Sequence, residues 1–175
     1  IRPYDDIDII AGQGTAGKEI YHQLTQISIV PDIYLCCCGG GGLIAGTSTY
    51  LKDKFENIKS YSAEPFGFDD TKKSLNNGKI LANETGHQSI CDAIITPQPG
   101  NLTFPINLKT LEDGLVVNDE EVKRTIKILA EHLKIIVEPG GAVAATAALT
   151  KKINLNNKTV VVMISGGNID LDMFR

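Results

Sequence analysis

Short apolar runs alternate with amphipathic stretches along this chain, and that order of elements sets the expected fold class. Asp8-Ile9-Ile10-Ala11 is short and strand-like, and Gly12-Gln13-Gly14 breaks it. Residues 15–26 then follow a helical period, with Ile20 and Leu24 four apart on one face. After Pro31-Asp32, residues 33–38 form an apolar run without polar alternation, the pattern of a strand covered on both faces. Four glycines precede a second helix over residues 43–55, and residues 59–64, closed by Pro65, predict a third strand. Residues 77–101 carry scattered glycines and prolines and read mostly as loop. Gly114-Leu115-Val116-Val117 is extended, and Asn118 caps a helix over residues 119–133 with acids in its first turn. Gly140-Gly141-Ala142 opens an alanine-rich helix reaching Lys152. Asn156-Asn157 then turns the chain into residues 159–164, the strongest strand candidate.

The expected architecture is a single three-layer α/β domain over residues 1–175. It has a mainly parallel, twisted sheet with helices on both faces, and residues 33–38 and 159–164 are its central strands. Composition adds exclusions. With 42% hydrophobic and 22% charged residues, the chain belongs with globular domains and not with disordered ones. No apolar run approaches the ~20 residues of a membrane-spanning helix, so no membrane partner is expected. Seventeen basic residues face 21 acidic ones, a net charge of −4, with no basic block; nucleic acid is not expected as a partner either. Cys36, Cys37, Cys38 and Cys91 lack metal-ligand spacing, because strand neighbours point to opposite faces. They read as buried, reduced thiols of a cytoplasmic protein.

In open α/β sheets, ligands bind beyond the carboxyl ends of strands, where helices begin. Three glycine-rich turns are expected there: Gly12-Gln13-Gly14, Gly39-Gly40-Gly41-Gly42 and Ser165-Gly166-Gly167-Asn168. The tetraglycine is the sharpest. Without Cβ atoms, successive N–H groups can converge on an anion such as phosphate, and the next helix adds its positive end. A flexible linker would instead have polar flanks, whereas this run sits between two apolar segments. Gly12-x-Gly14-x-x-Gly17 formally matches a dinucleotide fingerprint, which keeps a dinucleotide-binding domain open as an alternative. Its confirming acid is misplaced, since Asp32 precedes the second strand instead of ending it. Ser165 ends the last strand where a hydroxyl could meet a ligand ring, or simply cap a turn. Glu64 and Asp70 bracket a turn and, with a carbonyl between them, suit a hard cation; a helix cap is the plainer role.

Five motifs in order carry a family resemblance: Ile10-Ala11-Gly12-Gln13-Gly14-Thr15, Gly39-Gly40-Gly41-Gly42-Leu43-Ile44-Ala45-Gly46, Ala63-Glu64-Pro65, Val137-Glu138-Pro139 and Ile164-Ser165-Gly166-Gly167-Asn168. The series resembles the serine/threonine dehydratases (threonine ammonia-lyases) and serine racemases, fold-type II pyridoxal-phosphate enzymes. Residues 89–93 and 102–105 look closer to the dehydratases. The resemblance implies pyridoxal 5′-phosphate as cofactor, held at its phosphate by Gly39, Gly40, Gly41, Gly42 and Leu43, with Ser165 at the pyridine nitrogen. It implies a Mg²⁺ or Ca²⁺ site at Glu64, the Phe68 carbonyl and Asp70, and accessory acids at Glu138 and Asp92. It also implies threonine or serine as substrate and a homodimer for the full-length enzyme.

The family's Phe-Lys-x-Arg-Gly segment, with the lysine that holds the cofactor covalently, has no match here, nor does its Ser-x-Asn-His substrate loop. The chain is therefore expected to be the C-terminal, cofactor-domain part of a short, non-allosteric dehydratase. Such an enzyme would convert L-threonine to 2-oxobutanoate and ammonia, with a serine racemase as the alternative, and this part would be inactive alone.

Overall fold

The computed structural model describes residues 2–170 and 172. Its elements are α1 (Ile7–Gln26), β1 (Ile33–Cys37), α2 (Gly42–Lys54), β2 (Lys59–Pro65), α3 (Asp70–Asn77), α4 (Thr103–Thr110), β3 (Leu111–Val117), α5 (Asp119–Leu133), α6 (Pro139–Leu149) and β4 (Val160–Val162). The four strands run parallel in the order β3-β2-β1-β4. Every β1 residue is buried, as a strand covered on both faces requires. Its alternate side chains divide the core in two. Ile33, Leu35 and Cys37 pack with α5 and α6, while Tyr34, Cys36 and Cys38 pack with α2 and, behind it, α1. The three-layer α/β expectation holds.

Several elements form where local chemistry dictates. Asn118 and Glu121 make a reciprocal capping box at the start of α5: the Asn118 side-chain oxygen accepts Glu121 N–H at 3.0 Å, and the Glu121 carboxylate accepts Asn118 N–H at 2.9 Å. Tyr34 Oη donates to Thr47 Oγ1 at 2.9 Å, tying β1 to α2 inside the core.

Two expectations are corrected. Residues 8–11 are not a strand but the first turn of α1, capped by Asp6, whose side chain accepts the N–H groups of Asp8 and Ile9. Gly12, Gly14 and Gly17 therefore lie inside a helix, away from the sheet edge. A Cβ on Gly17 would stand 2.9 Å from the Thr47 carbonyl, and one on Gly46 would overlap the Ile10 carbonyl. Those small residues let α1 and α2 press together, and the dinucleotide fingerprint loses its strand–turn–helix setting. The second correction is β4. It covers three residues, all half-buried, and stands at the edge of the sheet, not at its centre. An apolar run records how a strand is covered, not its neighbours, and no described strand pairs with the outer side of β4.

Candidate active site

A cavity of about 470 Å³ opens beyond the carboxyl ends of β1 and β4, within the range of small-molecule sites. Gly39, Gly40, Gly41, Gly42, Leu43 and Ser165 all line it, as does Glu138. A larger groove of about 640 Å³ lies between α1, α2 and α4. Its walls are almost wholly apolar and lack a glycine cup, so the polar chemistry belongs to the smaller cavity.

The glycine loop is held from behind by α4. Gly40 C=O accepts the Thr103 hydroxyl at 2.6 Å and Gly100 N–H at 3.2 Å. Gly41 C=O accepts Ala45 N–H at 3.0 Å and Asn107 Nδ2 at 3.4 Å. In a trans peptide the N–H points opposite to the preceding C=O, so the N–H groups of Gly41 and Gly42 turn away from α4. Gly41 has φ 90°, a left-handed conformation that favours glycine, and no side chain caps α2 there. The first N–H groups of α2 and its positive end are thus left for an anion. The Tyr4 ring lies against the same loop, where a Cβ on Gly40 would collide with it.

Ser165 is placed by α6. The first turn of α6 packs so tightly on the Ser165 carbonyl that a Cβ on Gly141 would overlap it. Glu138 fastens the following turn: its carboxylate accepts Asn168 N–H at 3.0 Å, and its own N–H donates to Gly166 C=O at 3.3 Å. On the β1 side, Cys37 Sγ and Ser165 Oγ are 3.1 Å apart. Asp92 is exposed in a 3-10 turn, and its neighbours Ala93 and Ile94, not Asp92 itself, line the cavity. No lysine is among the described lining residues.

The Glu64 and Asp70 carboxylates form a second, buried cluster at the end of β2. Glu64 accepts Thr71 N–H at 2.7 Å and Lys72 N–H at 2.9 Å, in the first turn of α3. Burial first, and then the Asp70 charge, push Glu64 up to about 8. Burial also raises Asp70, to about 7, against the lowering effect of its Asn83 hydrogen bond. Asp70 Oδ2 is buried and has no partner. Cys38 joins the two clusters, since it lines the cavity and its thiol contacts Thr71 Oγ1 at 3.3 Å.

Of these residues, Tyr4, Cys37, Thr103 and Asn107 escaped the sequence reading. Thr103 had a signal, as part of the 102–105 stretch; the others act through contacts that no local pattern reveals.

A family model described as "Pyridoxal-phosphate dependent enzyme" matches residues 1–166. The chain belongs to the pyridoxal-phosphate dependent enzyme family. Members similar to it include the serine racemase of Dictyostelium discoideum, 39% identical over 174 residues, 98% of this chain and 52% of that protein. The L-threonine ammonia-lyase of Thermotoga maritima is 35% identical over 173 residues, 99% of this chain and 42% of that protein. The solved maize serine racemase superposes with a TM-score of 0.89 at 32% identity, covering 98% of this chain and 52% of that one. The chain thus spans about half the length of the curated relatives it matches.

The cavity fits the family's cofactor. The outward N–H groups and α2 terminus suit a phosphate, the unbranched glycine loop leaves room for it, and Ser165 offers a hydroxyl on the lining of the same cavity. No described helix is long and apolar enough to cross a membrane.

Proposed function

We propose that this chain is the cofactor-domain part of a cytoplasmic pyridoxal-phosphate dependent threonine/serine dehydratase, which removes the β-hydroxyl of L-threonine to give 2-oxobutanoate and ammonia. The convergence of the glycine loop and Ser165 on one cavity at the carboxyl edge of a parallel sheet carries the reading. When bound, the cofactor supplies an electron sink for the amino acid's Cα. Gly41 and Gly42 N–H groups would hold its phosphate, with Thr103 fixing the Gly40–Gly41 peptide and Asn107 the Gly41–Gly42 peptide. Ser165 hydrogen-bonds the ring nitrogen as a neutral hydroxyl, so the site does not impose a full positive charge on the ring. Glu138 keeps the Ser165 turn closed. The base and the covalent nitrogen come from a lysine outside the cavity wall seen here.

The Glu64 and Asp70 carboxylates, with the Phe68 carbonyl, suit Mg²⁺ or Ca²⁺: the donors are hard oxygens, two repelling acids adjoin, and Asp70 Oδ2 lacks a partner. The full-length enzyme is proposed to be a homodimer. The higher identity to a serine racemase favours racemisation as the second reading.

The test is a titration of the purified chain with pyridoxal phosphate and with pyridoxal, followed by ligand NMR. Expected is a clear preference for the phosphorylated form, lost in Gly41→Val. Incubation with pyridoxal phosphate and L-threonine should give no 2-oxobutanoate above the rate of free cofactor. Equal binding of the two ligands, or dehydratase turnover that depends on a lysine of this chain, would contradict the proposal. In the full-length enzyme, 2-oxobutanoate from threonine against D-serine from L-serine separates the two activities.

A further inference from the structure

Three consecutive thiols end the apolar run of β1, and the strand sends them to alternate faces. Cys36 lies in the layer shared with α2, where burial raises its thiol well above the usual range. Cys38 lies in the same layer and contacts Thr71. Cys37 alone packs toward α6 and the Ser165 turn. It is 5% exposed, it lines the cavity, and its sulfur stands 3.1 Å from Ser165 Oγ.

A serine hydroxyl has one proton and can accept two hydrogen bonds. Within the Cys37–Ser165 pair either group could donate. If Ser165 donated to the sulfur, it would have no proton left for an acceptor in the cavity. If the thiol donates, Oγ accepts and its own proton is free to turn outward. A pyridine nitrogen without a proton of its own accepts only, so the two demands agree on one direction. Sulfur suits the place. It packs as a small apolar group against the alanine-rich α6, yet retains a weak donor that valine or alanine would lack.

We infer that Cys37 is a positioning residue: its thiol donates to Ser165 Oγ and so presents the serine hydroxyl as a hydrogen-bond donor to the cofactor's ring nitrogen. The inference rests on the reading of Ser165 given above, and the two fail in different ways.

The measurement compares the affinity of the chain for pyridoxal phosphate and for its 1-deaza analogue, in which C–H replaces the ring nitrogen. One neutral hydrogen bond is worth roughly a 2- to 13-fold preference for pyridoxal phosphate. Because each variant is scored by its own ratio, a general loss of affinity does not imitate the effect. Wild type should show the preference, Ser165→Ala should lose it, Cys37→Ala should lose most of it, and Cys37→Ser should restore it. Absence of the preference in wild type, or its survival in Ser165→Ala, removes Ser165 from the ring and overturns the underlying reading. A preference lost in Ser165→Ala but intact in Cys37→Ala overturns the role of Cys37 alone. A loss in Cys37→Ala that Cys37→Ser fails to restore marks a packing effect and also overturns it. Failure of both ligands to bind overturns reading and inference together.

Discussion

Glu64 is an acid kept where its neutral form is favoured, although two backbone N–H groups point at it. Burial outweighs them and, with Asp70, raises it from 4.5 to about 8. The sign follows from proton binding. Between those values the folded chain holds a proton that the unfolded chain has lost, so stability falls as pH rises through that window. In the absence of divalent cations, thermal unfolding should occur at a progressively lower temperature from pH 5 to pH 8, and Glu64→Gln should flatten the slope. Added Ca²⁺ should recover the loss at pH 8 in wild type and not in Asp70→Ala. A wild-type profile that is flat with pH and indifferent to Ca²⁺ would contradict both statements. At this scale the glycine loop, Ser165 and Glu64 could be read from the sequence, because bare backbone and an acid at a strand end are local properties. Thr103 holding Gly40, or Cys37 touching Ser165, joins residues 63 and 128 positions apart, which no local spacing encodes.

Among the elements, α5 was legible to the residue because its cap and its period agree. α1 was not, since glycine within a helix looks like a break until a second helix is laid against it. Gly46 is where the two helices meet most closely. Gly46→Val should cost about 1–3 kcal/mol or more by overpacking, with the same strand content and a loosened α1. Urea unfolding followed by circular dichroism, with amide exchange over residues 7–26, checks it; an unchanged midpoint would mean that the helices are not in contact in solution. β4 shows the converse error. Val160, Val161 and Val162 looked like the best-buried strand, and their hydrophobicity is real, but it is only half used.

For the molecule as a whole, that half-used strand has a cost. The outer side of β4 offers unpaired strand backbone among the described residues, together with apolar side chains, which is a template for pairing with another chain. The isolated chain is expected to associate with increasing concentration. Val160→Lys should weaken that association, as sedimentation equilibrium across a concentration series would report. A single monomeric species at every concentration for wild type would show the edge to be protected. The order of layers and the parallel sense of the sheet followed from the alternation of elements; the position of one strand at its rim did not.

The two walls of the cavity also stand apart in time. Cys37 and Ser165, which touch, are separated by 128 residues. A ribosome adding about 5–20 residues per second takes roughly 6–25 s to travel between them. Throughout that interval the glycine loop and its thiols have been made without the strand and turn that complete their pocket. Synthesis therefore imposes an order of events: α1, β1, α2 and β2 can assemble early, while the pocket closes only after Ser165 has been made. A nascent chain stalled before Val160 should expose Cys37 to alkylation, and one extended past Ser165 and clear of the exit tunnel should shield it, whereas Cys36 and Cys38 are covered by α1 and α2 in both.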